Sequence, residues 1–178
     1  MRLFVAINFD DRVIKNISKI RERLKLHSKQ GRFVRDEHLH LTLEFLGEIS
    51  EDRLEDIKSV MKDINANPFN ITLSRLGYFK GREGHIYWLG LLDNKDLINL
   101  QNKLHLQLLD KGFKLDKREY KPHITIGRRV KLKDNLDIDG INEDISKISF
   151  KVDSISLMES TNIAGKLIYK EIYSKHLS

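Results

Sequence analysis

His40-Leu41-Thr42-Leu43 and His123-Ile124-Thr125-Ile126 are two copies of one tetrad, His-x-Thr-x, with apolar residues at the alternate positions. In a β-strand, residues two apart share a face. Each tetrad therefore predicts a strand that presents an imidazole and a hydroxyl on one face and two aliphatic side chains on the other. Two such strands side by side would form a four-residue site.

The tetrads belong to a longer internal repeat. A shift of 83 residues aligns the two histidines and also places residues 3–6 on residues 86–89. A second pairing, offset by 81 or 82, sets residues 69–76 against residues 150–157. A long unit that occurs only twice predicts two similar lobes related by a pseudo-twofold axis. Equivalent residues of the two lobes would then face each other across a groove.

The alternation of apolar and polar residues predicts an α+β fold with two small, mainly antiparallel sheets and flanking helices, in a single domain over residues 1–178. Residues 29–35 read as a polar loop, and residues 131–142 give no clean period. Asp10 or Asp11 is expected to cap the first helix and Ser50 the second. The predicted strands cover 2–9, 40–47, 69–79, 85–92, 122–128, 148–159 and 166–173, and the predicted helices cover 11–27, about 50–66 and 94–111.

Composition narrows the class of protein. The chain has 178 residues, no cysteine and a net charge of +6, which excludes disulfides, thiolate zinc sites and cysteine nucleophiles. The apolar run at residues 3–7 is too short for a signal peptide or a membrane span, so we expect a cytoplasmic protein without a membrane partner. Residues 111–133 carry nine Lys and Arg against two acidic residues. This excess would attract an anionic ligand, or it is an ordinary solvated face.

Two imidazoles that face each other are suited to acid and base catalysis. One can remove a proton from an attacking oxygen while the other protonates the departing oxygen, because their ordinary pKa lies near 6.5. The two threonine hydroxyls can donate to phosphoryl oxygens. A phosphodiester substrate fits this arrangement better than an acyl substrate, which usually requires a serine or cysteine nucleophile.

Two other interpretations of the tetrads remain open. His38 and Glu44 flank His40 at even spacing, and imidazole together with carboxylate can hold a divalent metal. Alternatively, His40 and His123 are polar residues on half-buried strands without a chemical role. The expectation that we carry forward is a site without a metal and without a cofactor.

The residues around the tetrads, His40-Leu41-Thr42-Leu43-Glu44-Phe45-Leu46-Gly47 and Pro122-His123-Ile124-Thr125-Ile126-Gly127-Arg128, resemble the two signature motifs of the 2H phosphoesterase superfamily. The nearest branch is the RNA 2',3'-cyclic phosphodiesterases, the LigT-like group. This resemblance implies a bilobal fold with a central groove, and hydrolysis of a terminal 2',3'-cyclic phosphate to a 2'-phosphomonoester without a metal. It also implies a proton donor at His40, a proton acceptor at His123, and a phosphate held by Thr42 and Thr125.

The resemblance also suggests substrate-binding residues, namely Arg118, Tyr120, Phe45 and Arg128. Strict alternation from His123 would send Arg128 to the opposite face of its strand. The family commonly has tryptophan at the position of Phe33. Candidates for stacking on a base are Phe33, Phe79, Tyr87 and Trp88, although the repeat aligns Trp88 with Val5 and so favours a core position for it.

The implied partner is RNA that ends in a 2',3'-cyclic phosphate, such as a tRNA half or a nucleotide, bound by a monomeric enzyme. Three alternatives remain: 2'-5' RNA ligation at the same site, opening of a small cyclic nucleotide, and RNA binding without catalysis. The third alternative is motivated by the basic segment 111–133.

Overall fold

The computed structural model describes the whole chain, residues 1–178. Short 3-10 helices at Asp36–His38 and Glu51–Arg53 accompany nine strands and four α-helices. The strands are β1 (Arg2–Ile7), β2 (Ser28–Phe33), β3 (Leu41–Glu48), β4 (Phe69–Phe79), β5 (His85–Leu91), β6 (Ile124–Leu132), β7 (Ser149–Val152), β8 (Ser154–Ile163) and β9 (Lys166–His176). The helices are α1 (Asp11–Leu26), α2 (Leu54–Asp63), α3 (Lys95–Asp110) and α4 (Ile138–Ser146).

The strands form two antiparallel sheets, which confirms the predicted fold class. Sheet A has the order β3-β1-β8-β9, and sheet B has the order β2-β6-β5-β4-β7. Under the shift of 83 residues β1 corresponds to β5 and β3 to β6, so the two histidine strands occupy the same place in the two sheets. The duplicated architecture read from the tetrads is therefore present in the strand order.

The two halves of the chain exchange strands. β4 follows the first half along the chain but pairs with β5 in sheet B, and β8 follows the second half but pairs with β1 in sheet A. Neither sheet can be completed from one half of the sequence alone. We infer that the two lobes fold as one domain.

One hydrophobic core joins the sheets and helices. A single cluster of 36 buried side chains draws on the inner faces of both sheets and on all four helices. In β1, Leu3, Val5 and Ile7 belong to this cluster, whereas Phe4 and Ala6 form a separate small cluster with Met158. Alternate residues of the strand thus face the core on one side and a groove on the other.

The helix ends follow the sequence signals in part. The Asp10 carboxylate accepts a hydrogen bond from the backbone N–H of Val13 and so caps α1, and Gly112 follows α3 with a φ of +83°, as expected of a left-handed C-terminal residue. The prediction for Ser50 is wrong, because Ser50 precedes a 3-10 turn and its side chain makes no capping hydrogen bond. No helix combines the length and apolar character that a membrane crossing requires.

Two segments differ from the sequence prediction. The polar stretch at residues 29–35 lies mostly in edge strand β2, which pairs with β6; its alternate residues are too hydrophilic to signal a strand because an edge strand buries little of either face. Residues 148–159 are two strands instead of one, since β7 pairs with β4 in sheet B and β8 pairs with β1 in sheet A. The unassigned stretch 131–142 contains the end of β6 and the start of α4.

Candidate active site

A groove of about 940 Å³ is lined by residues of both sheets. The four tetrad residues, His40, Thr42, His123 and Thr125, all line it. The sequence prediction that the two tetrads share one site is therefore confirmed in the placement of these side chains.

His40 is fixed by hydrogen bonds on both ring nitrogens. Its Nδ1 lies 2.7 Å from the carbonyl oxygen of His38, and its Nε2 lies 2.9 Å from Oγ1 of Thr42. A carbonyl only accepts, so Nδ1 carries the hydrogen and the neutral ring presents Nε2 as an acceptor for the Thr42 hydroxyl. The reactive nitrogen of His40 and the hydroxyl of its own tetrad are thus in direct contact.

His123 repeats half of this arrangement. Its Nδ1 lies 2.6 Å from the carbonyl oxygen of Lys121, which is again the residue two positions before the histidine. Both histidines directly precede the first residue of a strand, Leu41 and Ile124, so the same local backbone orients both rings. The bond from His40 to Thr42 has no counterpart between His123 and Thr125.

The environment of His40 favours its neutral form. Burial of the ring lowers its pKa below the ordinary value of 6.5, the hydrogen bond to the His38 carbonyl partly opposes this, and the positive charges of Arg128, His38 and His123 lower it further. The influence of His123 on His40 also means that the two imidazoles lie within electrostatic range of each other, as a proton-transfer pair requires.

Aromatic side chains pack around each histidine. The ring centroid of His40 lies 5.0 Å from Phe4 and 5.5 Å from Tyr169. The ring of His123 lies 5.2 Å from Phe79 and 6.0 Å from Trp88. These rings exclude water from one side of each imidazole and hold its orientation.

A β-bulge in each histidine strand brings a further residue into the groove. Across β1 the partners of Val5 and Ala6 are Glu44 and Thr42, so Leu43 is the extra residue of β3. Across β5 the partners of Tyr87 and Trp88 are Gly127 and Thr125, so Ile126 is the extra residue of β6. An extra residue moves the following side chains to the other face of the strand.

These bulges correct the placement of Arg128. Strict alternation from His123 predicts that Arg128 points away from the site, but Arg128 lines the groove because the extra residue at Ile126 reverses the alternation. Phe45 occupies the equivalent position in β3, is 66% exposed and also lines the groove. Nothing in the sequence signals the bulges, since Leu43 and Ile126 are ordinary strand residues.

Arg118 and Tyr120, the other two residues suggested as substrate ligands, lie differently. Arg118 reaches the rim of the groove but forms an ion pair with Asp116 at 2.6 Å, and this pairing lowers the pKa of the Asp116 carboxyl to about 2. The hydroxyl of Tyr120 donates to the backbone carbonyl of Thr42 at 2.8 Å, and Tyr120 does not line the groove. Tyr120 therefore supports the strand that carries Thr42 from behind.

The alternative metal ligands are not brought together. After the bulge at Leu43, the carboxylate of Glu44 is buried against α3, where it contacts Nδ1 of His105 at 2.7 Å and Nε2 of Gln101 at 3.3 Å. Burial raises the pKa of Glu44 while the hydrogen bond from His105 lowers it, and the net shift is upward. The structure assembles no group of three His, Cys, Asp or Glu side chains suited to a metal ion.

The proposed stacking residues separate into two groups. Phe33 and Phe79 line the groove, whereas Tyr87 is 8% exposed and belongs to the main core. The core position predicted for Trp88 is wrong. Its ring lies over Gly77, where an added Cβ would come within 2.2 Å of it, and it packs beside His123 on the groove side of β5. In the structure Trp88 pairs with Thr125 as Ala6 pairs with Thr42, so the repeat register slips by one residue in β5.

Sequence reasoning did not identify several groove residues. They are Arg2, Arg32, Arg35, Phe4 and Tyr169, together with His38 in a role other than metal binding. The weak alignment of residues 86–87 with residues 168–169 was the one signal that touched Tyr169. The others occupy strand ends or an edge strand, where periodicity says little about direction.

Comparison with known proteins identifies relatives along the whole chain. A family model described as the 2'-5' RNA ligase superfamily matches residues 9–163. The RNA 2',3'-cyclic phosphodiesterase of Methanocaldococcus jannaschii is 33% identical over 97% of this chain and 98% of that protein. The protein of the same name from Methanothermobacter thermautotrophicus is 31% identical over 97% of this chain and 96% of that protein. The crystal structure of Escherichia coli LigT in apo form superposes with a TM-score of 0.82 at 28% identity, covering 99% of this chain and 97% of that one.

Proposed function

The chain belongs to the 2'-5' RNA ligase superfamily, and on that basis we propose that it is an RNA 2',3'-cyclic phosphodiesterase that acts through His40 and His123. The single observation that carries this proposal is that both tetrad histidines line one groove with the same Nδ1 hydrogen bond to the residue two positions before them. Relatives about one-third identical over nearly their full length bear the name of this activity.

The proposed reaction is a displacement at the cyclic phosphorus. His123 accepts a proton from water, the water oxygen forms a bond to phosphorus, and the bond from phosphorus to the 3'-oxygen breaks. His40 donates a proton to the departing 3'-oxygen, which leaves a 2'-phosphomonoester and a free 3'-hydroxyl. The Nδ1–H bonds to the His38 and Lys121 carbonyls fix both rings with Nε2 as the reactive nitrogen.

His40 must be protonated to donate, although the empty groove lowers its pKa. A bound phosphodiester reverses this tendency, because its negative charge favours the protonated imidazole and offsets the positive charge of Arg128. The donor is therefore charged when substrate is present and neutral when it is absent. The two histidines titrate as a coupled pair, so the rate should depend on pH as a bell-shaped curve.

Three further groups are assigned to the phosphate. In the proposed complex the hydroxyls of Thr42 and Thr125 donate to its non-bridging oxygens, and the guanidinium of Arg128 balances the charge that develops on them. Thr42 then exchanges its hydrogen bond to neutral His40 for one to the substrate. We propose that RNA with a cyclic phosphate end is the substrate, a tRNA half being one example, and that no cofactor takes part.

The test is turnover of a short RNA with a 2',3'-cyclic phosphate end by the wild type, His40→Ala and His123→Ala. Each substitution should lower kcat by about 100-fold to 10,000-fold, the usual contribution of a general acid or base, while RNA binding persists. His176→Ala is the matched control, because His176 is exposed on β9 outside the groove. Binding of RNA without turnover by the wild type would favour the non-catalytic alternative.

Ligation is a second candidate, favoured by the description of the matching family. It requires the 5'-hydroxyl of another RNA in the place of water, with the same two proton transfers. Incubation of the cyclic phosphate RNA with an acceptor carrying a 5'-hydroxyl tests it, and a 2'-5' linked product lost in both His→Ala variants would establish it.

A further inference from the structure

The charged side chains that line the groove are all basic. Twenty-one residues line it, and among them are five arginines and three histidines but no Asp or Glu. The chain contains 26 acidic residues, so their absence from this wall is not a matter of composition. Two of the five arginines reach carboxylates outside the groove, since Arg35 pairs with Glu37 and Arg118 pairs with Asp116.

The other three arginines, Arg2, Arg32 and Arg128, form no ion pair with a carboxylate in the protein. Most other arginines do so or bond a carbonyl, as the ion pairs of Arg21, Arg23, Arg53 and Arg129 illustrate. Even Glu48, which lies directly across from Arg2 in sheet A, contacts the N-terminal ammonium at 3.7 Å instead.

Arg32 and Arg128 stand directly opposite each other on the adjacent strands β2 and β6. Like charges at such a position destabilise a sheet, and no acidic side chain of the groove offsets them. Arg2 approaches from the other sheet. The positive charges of Arg128 and Arg2 both counter the rise in the pKa of Tyr169 that burial causes, so both arginines lie within electrostatic range of that ring.

We propose that Arg32 and Arg2 bind internal phosphates of an RNA strand whose cyclic end lies between His40 and His123. This inference rests on the proposed function and extends it, because it predicts a preference for oligonucleotides over mononucleotides. A basic groove with exposed aromatic side chains is the usual means of tracking a single strand. Phe45, at the mouth of the groove and 66% exposed, supplies the aromatic surface.

The positions of the two arginines separate them from the reacting phosphate. Arg2 lies four residues along β1 from Ala6, the partner of Thr42, which is roughly 13 Å of strand. Arg32 lies on edge strand β2, one strand beyond the strand that carries His123. A substrate of a single nucleotide that reacts at the histidines would leave both arginines without a phosphate.

The experiment compares kcat/KM for a nucleoside 2',3'-cyclic phosphate and for a tetranucleotide with the same cyclic end, in the wild type, Arg2→Ala and Arg32→Ala. Each substitution should lower kcat/KM for the tetranucleotide by about tenfold or more, the loss expected of a charge-assisted hydrogen bond. The value for the mononucleotide should stay within about twofold of wild type. Arg75→Ala, which removes an exposed arginine outside the groove, should change neither.

Binding of a tetranucleotide that ends in a 2'-phosphate, measured by fluorescence anisotropy against salt, gives an independent reading. Each of the two groove substitutions should reduce the slope of log affinity against log salt by about 0.7, the contribution of one phosphate on a single strand. Equal losses for both kinetic substrates, or no loss beyond that of Arg75→Ala, would overturn the proposal. If the wild type turns over neither substrate, the proposed function fails, and the salt slopes alone still decide whether the groove binds a strand.

Discussion

Nε2 of His40 lies 2.9 Å from the hydroxyl oxygen of Thr42, two residues along the same chain. Because Nδ1 of His40 is committed to the His38 carbonyl, this contact identifies the neutral tautomer of the empty site. The same hydroxyl is the one proposed to donate to the substrate phosphate. Thr42 therefore couples the protonation of His40 to the occupancy of the groove.

Thr42→Val tests this coupling. Loss of the hydroxyl removes a hydrogen bond to neutral Nε2, so the pKa of His40 should rise in the free protein, and kcat should fall by about 10-fold to 1,000-fold through loss of a donor to the phosphate. Imidazole NMR titration and steady-state kinetics measure the two effects. Thr161→Val, a substitution at an exposed strand residue outside the groove, should leave both unchanged. A lower kcat with an unaltered titration would separate Thr42 from His40.

Arg128→Gln should raise the pKa of His40. The positive charge of Arg128 lowers that pKa, and removing it favours the protonated ring at a given pH. The substitution should also weaken inhibition by inorganic phosphate, since Arg128 is assigned to the reacting phosphate. NMR titration of His40 with and without phosphate measures both. An unchanged titration would mean that the guanidinium is turned away from the site in solution.

Stability should fall with acid in part through His40. Its pKa in the folded protein lies below the ordinary 6.5, so the unfolded chain binds more protons and the contribution to stability is lost as the pH falls below about 6.5. His40→Asn removes this titration. The loss of Tm between pH 7 and pH 5 should be smaller in the variant than in wild type, and an identical loss would contradict the burial of His40.

Tyr120→Phe distinguishes support from substrate binding. The hydroxyl of Tyr120 donates to the Thr42 carbonyl at 2.8 Å, so its loss should cost about 0.5–1.5 kcal/mol of stability. We expect a modest fall in kcat, because the strand that carries Thr42 loosens, and an unchanged KM. A raised KM with unchanged stability would instead restore the substrate-binding role that the sequence suggested.

The exchange of β4 and β8 between the two halves of the chain should make unfolding cooperative. Each sheet needs a strand from the other half, so neither lobe can unfold while the other stays intact. Chemical denaturation followed by far-ultraviolet circular dichroism and by Trp88 fluorescence should give coincident transitions. Two separated transitions would show that the lobes are independent.

The sequence carries the tetrads, the repeat and the class of fold, because alternation over four residues and a shift of 83 residues are strong patterns. It does not carry the bulges at Leu43 and Ile126, which place Phe45 and Arg128 in the groove. A bulge is set by pairing with the neighbouring strand and leaves the composition of its own strand unchanged.

Edge strands and strand ends were the other source of error. β2 was predicted as a loop because an edge strand exposes both faces, and with it the position of Arg32 was missed. The burial of Glu44 beneath α3 was missed for a related reason, since the bulge reversed its direction. Long-range pairing decided each of these features.

The most direct test of the account is the product formed from an RNA oligonucleotide with a 2',3'-cyclic phosphate end in the presence of EDTA. The account predicts a 2'-phosphate product with the wild type and with His176→Ala, and none with His40→Ala or His123→Ala. A 3'-phosphate product, turnover that needs an added divalent ion, or activity that survives both histidine substitutions would contradict it.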